Sequence, residues 1–270
     1  GLALGARRRG ALAAALALLS AIGALAWAPA GRDAAPGARA VVVGAKTFTE
    51  QYILAEILAQ TVRTGTGREA RTLASLGSTV AFDALRRDEI DLYVDYTGTL
   101  WATVMGRKGT GGARREAVAE VGRWLAAEHG ITLVASLGFE NAYCFAVRRE
   151  TAGRLRLKSL SDLTRQAPAL SLASDYEFFA REEWRAVRST YGLAFREQRT
   201  MDPSLLYAAI ESGEVDVITA YTSDGRIDAL SLAVLEDERE VLPPYDAVVL
   251  ASPRLARDAP DVLAAVRSLE

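Results

Sequence analysis

The sequence predicts an α/β protein with two lobes, each a mainly parallel sheet flanked by helices. Strand-like and helix-like segments alternate from Val41 onward, a pattern typical of parallel sheets. Two distant segments also share one pattern, in which a helix-like run leads into a strand that ends in Tyr-Thr. The chain advances by 125 residues from Tyr96 to Tyr221 and also from Glu89 to Glu214. Two similar lobes explain this likeness, and two ordinary helix–strand units that match by coincidence remain the alternative.

The elements of the first lobe follow in order along the chain. Residues 41–43 are an apolar run typical of a short buried strand, and residues 47–50 have capping-box spacing and should open a helix. That helix is predicted to have one apolar face, formed by Tyr52, Ile53, Ile57 and Leu58. Further elements of this lobe are a strand at residues 69–76, a helix at 79–87, a strand at 90–96 and a helix at 114–128.

The second lobe begins near Asn141. Its predicted strands lie at residues 142–147, 169–173 and 215–221, and its helices at about 179–191 and 203–211. Ligands of open α/β sheets bind outside the carboxyl ends of the strands. Tyr96 and Tyr221 each stand at such an end, so both should face a shared cleft.

The first forty residues have the pattern of an export signal. Three arginines at residues 7–9 precede an apolar run at residues 11–27, and Ala28-Pro29-Ala30 is similar to a signal cleavage site. The apolar run is marginal in length for spanning a bilayer, so an uncleaved anchor or the last helix of a fused permease remain alternatives. All of these place the rest of the chain outside the cytoplasm, in the periplasm or on the outer face of the cell membrane.

Composition and motif content argue against several function classes. The net charge is −2, so no basic excess is present to neutralise nucleic-acid phosphates. Cys144, the single cysteine, lies in an apolar run and is interpreted as a small buried hydrophobe. The single histidine, His129, stands at a predicted helix end, where a surface or capping role is expected. Phosphate-binding loops, zinc-protease motifs and nucleophile elbows are all missing, so the sequence predicts binding without catalysis, cofactor or metal.

Tyrosine is the informative residue type. Tyr96, Tyr143, Tyr221 and Tyr245 lie at predicted strand ends or next to turns. One tyrosine at a strand end is usually a core or rim residue. Four that converge from two lobes would form an electron-rich cage for a cation with no N–H to donate. Cation–π contacts of this kind contribute about 0.5–2 kcal/mol each, and the sequence therefore favours a quaternary ammonium ligand.

Four spaced motifs carry a family resemblance. They are VGAKTFTEQYIL at residues 43–54, DYTGT at 95–99, AYTSDGRI at 220–227 and LPPYDA at 242–247. In this order they resemble glycine betaine/choline-type substrate-binding proteins of osmoprotectant ABC transporters, in which Glu is usual where Asp95 stands here. The resemblance covers residues 41–270. It implies a two-lobed type II periplasmic-binding fold that closes around its ligand.

The resemblance also implies a division of the chain. Residues 1–40 would be a signal peptide or anchor with a linker, residues 41–140 the first lobe and residues 141–246 the second. Residues 247–270 would return to the first lobe. Family members usually continue beyond the fourth motif, so the C-terminal end of this chain is expected to be truncated.

Site residues follow from the matched motifs. Tyr96 and Tyr143 would form cage walls from one side, and Tyr221 and Tyr245 would close the cage. The resemblance also implies that three residues hold a ligand carboxylate, namely Lys46, Thr99 and Arg181. Lys46 precedes a helix start, where anions are attracted, and an arginine can hold a carboxylate in a bidentate fork. Arg185 and Arg188 are nearby alternatives to Arg181.

The expected function is therefore that of the extracytoplasmic solute-binding component of an ABC importer. It would deliver a small quaternary-ammonium osmolyte to a membrane permease driven by an ATPase. A clamp formed by Lys46 and Arg181 favours glycine betaine over choline, and carnitine and proline betaine remain alternatives. A ligand-binding sensor domain and an enzyme on the same fold are the two alternatives from other classes.

Overall fold

Two five-stranded sheets form the framework of the computed structural model, which describes residues 39–107 and 114–270. The first sheet has the strand order β2-β1-β3-β10-β4, and the second has the order β7-β6-β8-β5-β9. The strands of the first sheet are β1 (Val41–Lys46), β2 (Ala70–Leu76), β3 (Leu92–Tyr96), β4 (Thr132–Glu140) and β10 (Asp246–Ala251). The strands of the second are β5 (Tyr143–Arg148), β6 (Ser171–Ser174), β7 (Glu197–Thr200), β8 (Val217–Tyr221) and β9 (Leu232–Leu235).

Helices connect these strands and cover the sheets. Those in the first half are α1 (Thr49–Thr66), α2 (Ser78–Arg86), α3 (Thr97–Thr99) and α4 (Arg114–His129), with a π-helical turn at Leu100–Val104 after α3. Those in the second half are α5 (Arg149–Leu155), α6 (Leu160–Gln166), α7 (Glu182–Tyr191), α8 (Pro203–Ser212) and α9 (Arg226–Ala229), with two 3₁₀ turns at Ala167–Ala169 and Phe178–Ala180. After β10 come α10 (Pro253–Asp258) and α11 (Pro260–Arg267).

The predicted α/β class is confirmed, but the sheets are mixed instead of mainly parallel. In each sheet two strand pairings are parallel and two are antiparallel. The antiparallel pairings belong to β10 and β5, the strands by which the chain enters one sheet directly from the other. No helix precedes either strand after the chain leaves the other sheet: β5 follows β4 after two residues, and β10 follows β9 after ten residues.

The internal likeness predicted from the sequence is also present in three dimensions. The strand β3 is central in the first sheet and β8 is central in the second, with the same pattern of pairing around each. Tyr96 is the last residue of β3 and Tyr221 is the last residue of β8. The preceding helices begin at Ser78 and Pro203, which keeps the offset of 125 residues. The coincidental alternative is therefore excluded.

Helix α1 corrects two sequence predictions. It begins at Thr49 after Phe48 and has no side-chain cap, so the capping box predicted at residues 47–50 is wrong. Its buried residues are Gln51, Ala55, Leu58, Ala59 and Val62. Of the predicted apolar face only Leu58 is buried, while Tyr52, Ile53 and Ile57 are exposed. The true face therefore includes the polar residue Gln51 and two alanines besides Leu58 and Val62. Near its C-terminal end α1 packs closely against α11, where a Cβ added at Gly65 would lie 2.8 Å from Ala265.

All the other predicted elements are present with limits shifted by a few residues, and β4, β7, β9 and β10 were not predicted. His129 ends α4, where its ring packs edge-on against Trp124 and Phe82.

The predicted signal or anchor at residues 1–40 lies outside the described residues, apart from its last two. Among the helices that are described, none has both the length and the apolar character needed to cross a bilayer.

Cys144 is a buried residue of β5, as predicted from its apolar surroundings. Burial raises the pKa of its thiol to about 12. The thiolate is the reactive form, so at pH 8 the native thiol should react at least about a hundredfold more slowly with iodoacetamide than the thiol of the urea-unfolded chain, whose pKa is near 8.5. Mass-spectrometric alkylation rates measure this difference, and equal rates would show that Cys144 is accessible.

Candidate functional site

A cavity of about 210 Å³ lies between the two sheets and is lined by all seven predicted site residues. These residues are Lys46, Tyr96, Thr99, Tyr143, Arg181, Tyr221 and Tyr245. Pockets for drug-sized ligands usually measure about 300–1,000 Å³, so this cavity fits a smaller solute. The lining is completed mainly by residues that sequence reasoning did not select, namely Thr47, Phe48, Leu76, Gly77, Ser78, Asn141, Asp175, Tyr176, Glu177 and Pro203.

Five aromatic rings surround part of this cavity and form what we term the aromatic cage: Phe48, Tyr96, Tyr143, Tyr221 and Tyr245. The Tyr143 ring centroid lies 5.1 Å from that of Tyr221 and 5.9 Å from that of Tyr245. Phe48 stacks on Tyr221 at 4.8 Å and also faces Tyr96 at 6.2 Å. Sequence reasoning missed Phe48, although it lies within the first motif and directly before α1.

Strand ends position the cage residues, as the sequence predicted for the tyrosines. Tyr96 and Tyr221 end the two central strands, and Tyr143 begins β5 directly opposite Tyr221 in the antiparallel ladder. Tyr245 precedes β10, and its ring lies against the backbone of Gly98, where a Cβ would come within 2.7 Å of it. The backbone N–H of Asn141 donates to the carbonyl oxygen of Tyr245 at 3.0 Å. This hydrogen bond joins the β4–β5 segment to the β9–β10 segment, and the chain passes between the sheets in both.

Each cage tyrosine donates its hydroxyl to a buried or partly buried carboxylate. Tyr143 and Tyr221 both donate to Asp175 Oδ2, at 3.0 and 3.1 Å. Tyr245 donates to Glu183 Oε1 at 2.9 Å, and Tyr96 donates to Glu50 Oε1 at 2.5 Å. Burial raises the pKa of all four phenols, so the rings stay neutral and the hydroxyls stay donors.

Sequence reasoning missed all three carboxylates, because a single acidic residue on a helix or in a turn looks like an ordinary solvated charge. Asp175 follows β6, Glu183 lies in α7 and Glu50 lies in α1. The sequence indicated these carboxylates only indirectly, through the tyrosines, because a buried hydroxyl needs a hydrogen-bond acceptor.

Lys46 reaches the cavity as the resemblance implied, but it already has a partner. Its Nζ lies 2.5 Å from Asp95 Oδ1 and 5.1 Å from the centroid of the Tyr96 ring. Both charged residues are buried, with Lys46 4% and Asp95 0% exposed. Asp95 also accepts hydrogen bonds from the Tyr93 hydroxyl at 2.6 Å and from the backbone N–H of Tyr96 at 2.8 Å.

Arg181 also lines the cavity and is 8% exposed, whereas the alternatives Arg185 and Arg188 are exposed on α7. Its guanidinium forms an ion pair with Glu177 at 2.5 Å and lies 3.7 Å from Glu183. Burial raises the pKa of the Glu177 carboxyl, but Arg181 and Ser78 outweigh burial and lower it from its usual value. Among the described residues the buried Nε of Arg181 has no hydrogen-bond partner, so this side chain of the cavity lining has one donor not used within the described part of the chain.

Thr99 is the third residue expected to hold a carboxylate. It is 4% exposed and lines the cavity from α3, directly after β3. The structure thus brings Lys46, Thr99 and Arg181 to the same cavity as the cage.

Contacts across the cavity join the two halves of the molecule in a closed arrangement. Arg181 donates to the Ser78 hydroxyl at 3.0 Å, and Glu177 accepts from the backbone N–H of Ser78 at 2.8 Å. On the other side of the cage, Ser223 donates to Glu50. A cavity enclosed in this way can exclude water from a small ligand and strengthen its electrostatic contacts.

In the part of the chain that the structure describes, no group of three or more His, Cys, Asp or Glu side chains is arranged to hold a metal ion. The neighbouring carboxylates are engaged by tyrosines, by Lys46 or by Arg181. The site can therefore bind and orient a small charged molecule, and its lining combines aromatic rings with the two cations Lys46 and Arg181.

Known proteins resemble this chain in both sequence and structure. Residues 39–270 match the family model of the substrate binding domain of ABC-type glycine betaine transport systems. The carnitine transport binding protein OpuCC of Listeria monocytogenes is 29% identical over 232 residues, which cover 84% of this chain and 75% of that protein. The glycine-betaine-binding protein of Pseudomonas aeruginosa is 31% identical over 233 residues, covering 81% of this chain and 73% of that protein.

A solved structure gives the same picture. A crystal structure described as a glycine betaine/carnitine/choline ABC transporter superposes with a TM-score of 0.67 at 28% sequence identity. The superposition covers 85% of this chain and 86% of that one. The two-lobed fold expected from the motifs is thereby confirmed.

Proposed function

This chain belongs to the family of substrate-binding domains of ABC-type glycine betaine transport systems, and we propose that it captures a quaternary-ammonium osmolyte, with glycine betaine as the preferred ligand. The aromatic cage is the observation that carries the proposal. Neutral, electron-rich rings attract a trimethylammonium group through cation–π contacts, which need no hydrogen bond from the ligand. The closed contacts around the cavity support a ligand that is fully enclosed.

The two cations in the lining of the cavity support a ligand with a carboxylate. We assign the carboxylate to Arg181, Lys46 and Thr99. Arg181 keeps a buried, unpartnered Nε, and a guanidinium can hold a carboxylate with two parallel hydrogen bonds. Lys46 carries three N–H donors, of which Asp95 takes one. Choline has no carboxylate, so it would leave these donors unsatisfied. Carnitine and proline betaine remain alternative ligands.

In this proposal the protein binds and releases its ligand, and no covalent bond is formed or broken. The protein would work outside the cytoplasm and deliver its ligand to a permease driven by an ATPase. Family membership supports this assignment, and so does the use of each buried acidic group near the cavity as a partner for a tyrosine or a cation. We therefore propose that the protein is not an enzyme.

Replacing Tyr221 by alanine is expected to lower the affinity for glycine betaine by at least about tenfold. Tyr221 stacks on Phe48 and packs against Tyr143, so its loss opens the cage on two sides. Isothermal titration of the purified protein with glycine betaine, choline and carnitine measures the change.

A matched control is Tyr52→Ala, because Tyr52 is an exposed tyrosine of α1 outside the lining of the cavity. Its affinity should equal that of the unchanged protein. Two results would count against the proposal. Binding of none of the three solutes by a folded protein would exclude the ligand class, and equal affinity of Tyr221→Ala would exclude the cage.

A further inference from the structure

The charged side chains that line the cavity differ in whether they form an ion pair with an opposite charge. Lys46 is paired with Asp95, and Arg181 is paired with Glu177 and lies close to Glu183. Asp175 also lines the cavity, but it takes part in none of the ion pairs found among residues 39–107 and 114–270. We propose that Asp175 is the countercharge for the ligand's ammonium group and determines the preference of the cage for cations, an inference that rests on the proposed function.

Four hydrogen bonds fix the Asp175 carboxylate behind the cage. Oδ1 accepts from the backbone N–H groups of Glu177 and Phe178 at 2.8 and 3.0 Å. Oδ2 accepts from the hydroxyls of Tyr143 and Tyr221. All four donors are neutral groups, and among the described residues no cationic nitrogen lies within 4.0 Å of the carboxylate; Arg181 lies farther away, 5.7 Å from the centroid of the Tyr143 ring.

A buried negative charge without a cation is costly, and Asp175 is only 6% exposed. Hydrogen bonds compensate part of that cost. A cation held in the cavity against these tyrosine rings would supply the missing charge, in a site where the low dielectric makes the attraction strong. Electron donation from the carboxylate through both hydroxyls also makes the two rings more negative, which strengthens their attraction for a cation.

An alternative role for Asp175 is only to orient Tyr143 and Tyr221. The two roles differ in their dependence on ligand charge. A countercharge acts on a cation and not on a neutral molecule of the same shape, whereas an orienting residue acts on both. The neutral carbon isostere of choline, in which a tert-butyl group replaces the trimethylammonium group, is therefore the discriminating probe.

The experiment is calorimetric titration of choline, its neutral isostere and glycine betaine into the unchanged protein and Asp175→Asn. The substituted amide keeps the size of the side chain and one of its two acceptor oxygens, so any loss of orientation affects charged and neutral ligands alike. We expect the choline and glycine betaine affinities to fall by at least about tenfold more than the isostere affinity does. Asp261→Asn removes the same charge from the surface, where Asp261 pairs with Arg68, and should change none of the three affinities.

Equal losses for choline and the isostere would overturn the countercharge role, and so would unchanged choline binding. A second variant decides the question if Asp175→Asn does not fold. Tyr143→Phe combined with Tyr221→Phe removes both hydroxyls but keeps the charge, so it should keep the preference for choline over the isostere. Loss of that preference would overturn the inference.

The outcome also separates this inference from the proposed function. An unchanged protein that binds neither choline nor glycine betaine excludes both. An unchanged protein that binds them, together with an Asp175→Asn variant that keeps the same ratio of choline to isostere affinity, excludes the countercharge alone.

Discussion

Gly98→Ala is expected to lower ligand affinity by more than about a hundredfold while the protein stays folded. A Cβ at residue 98 would lie 2.7–2.8 Å from three atoms of the Tyr245 ring. Contacts this short force one group to move, and a rigid ring that is 1% exposed has little room to yield. Tyr245 would therefore be pushed into the cavity or away from its hydrogen bond to Glu183. Titration with glycine betaine measures the loss.

Gly153→Ala is the matched control, because a Cβ at that position in α5 would meet no atom within 4 Å. It should bind as the unchanged protein does and be slightly more stable, since alanine is favoured over glycine inside a helix. Circular dichroism and thermal unfolding establish that Gly98→Ala is folded. Normal binding by a folded Gly98→Ala variant would mean that the cage adapts to a displaced Tyr245, which would contradict the rigid packing described above.

The tyrosines of the site could be predicted because their signal is local in sequence. Tyr96 and Tyr221 each follow an apolar strand, and the repeated pattern around them relates the two halves of the chain. Strand ends face the same edge of a sheet, so position along the chain was sufficient to bring them to one cavity. Lys46 and Arg181 were assigned from the family resemblance, and composition alone would not have selected them.

The partners of these residues could not be predicted, because they depend on contacts between distant parts of the chain. Asp175 meets Tyr221 only after β6 and β8 pair, and Glu183 meets Tyr245 only when the two halves approach. The prediction of the buried face of helix α1 was wrong for a related reason. Its large apolar residues suggested the buried face, but the face that packs against the sheet and α11 contains Gln51 and Ala55, and Ile53 is exposed.

Removal of one member of the buried ion pair between Lys46 and Asp95 is expected to destabilise the protein strongly. Removing one member of a buried pair leaves the other charge uncompensated, which usually costs about 3–5 kcal/mol. Asp95→Ala should therefore lower the free energy of unfolding by that amount, and it also removes the acceptor of the Tyr93 hydroxyl. Urea denaturation followed by circular dichroism measures the change.

A double-mutant cycle isolates the pair from its surroundings. Lys46→Met together with Asp95→Asn removes both charges, so the double variant should be more stable than the sum of the two single losses predicts, by about 2 kcal/mol or more. Additive losses would show that the 2.5 Å contact contributes no net coupling.

The same variants test the carboxylate site: if Lys46 donates to the ligand as well as to Asp95, Lys46→Met weakens glycine betaine binding and leaves choline binding unchanged. Because choline presents no carboxylate, this comparison separates the role of Lys46 in recognition from its role in stability.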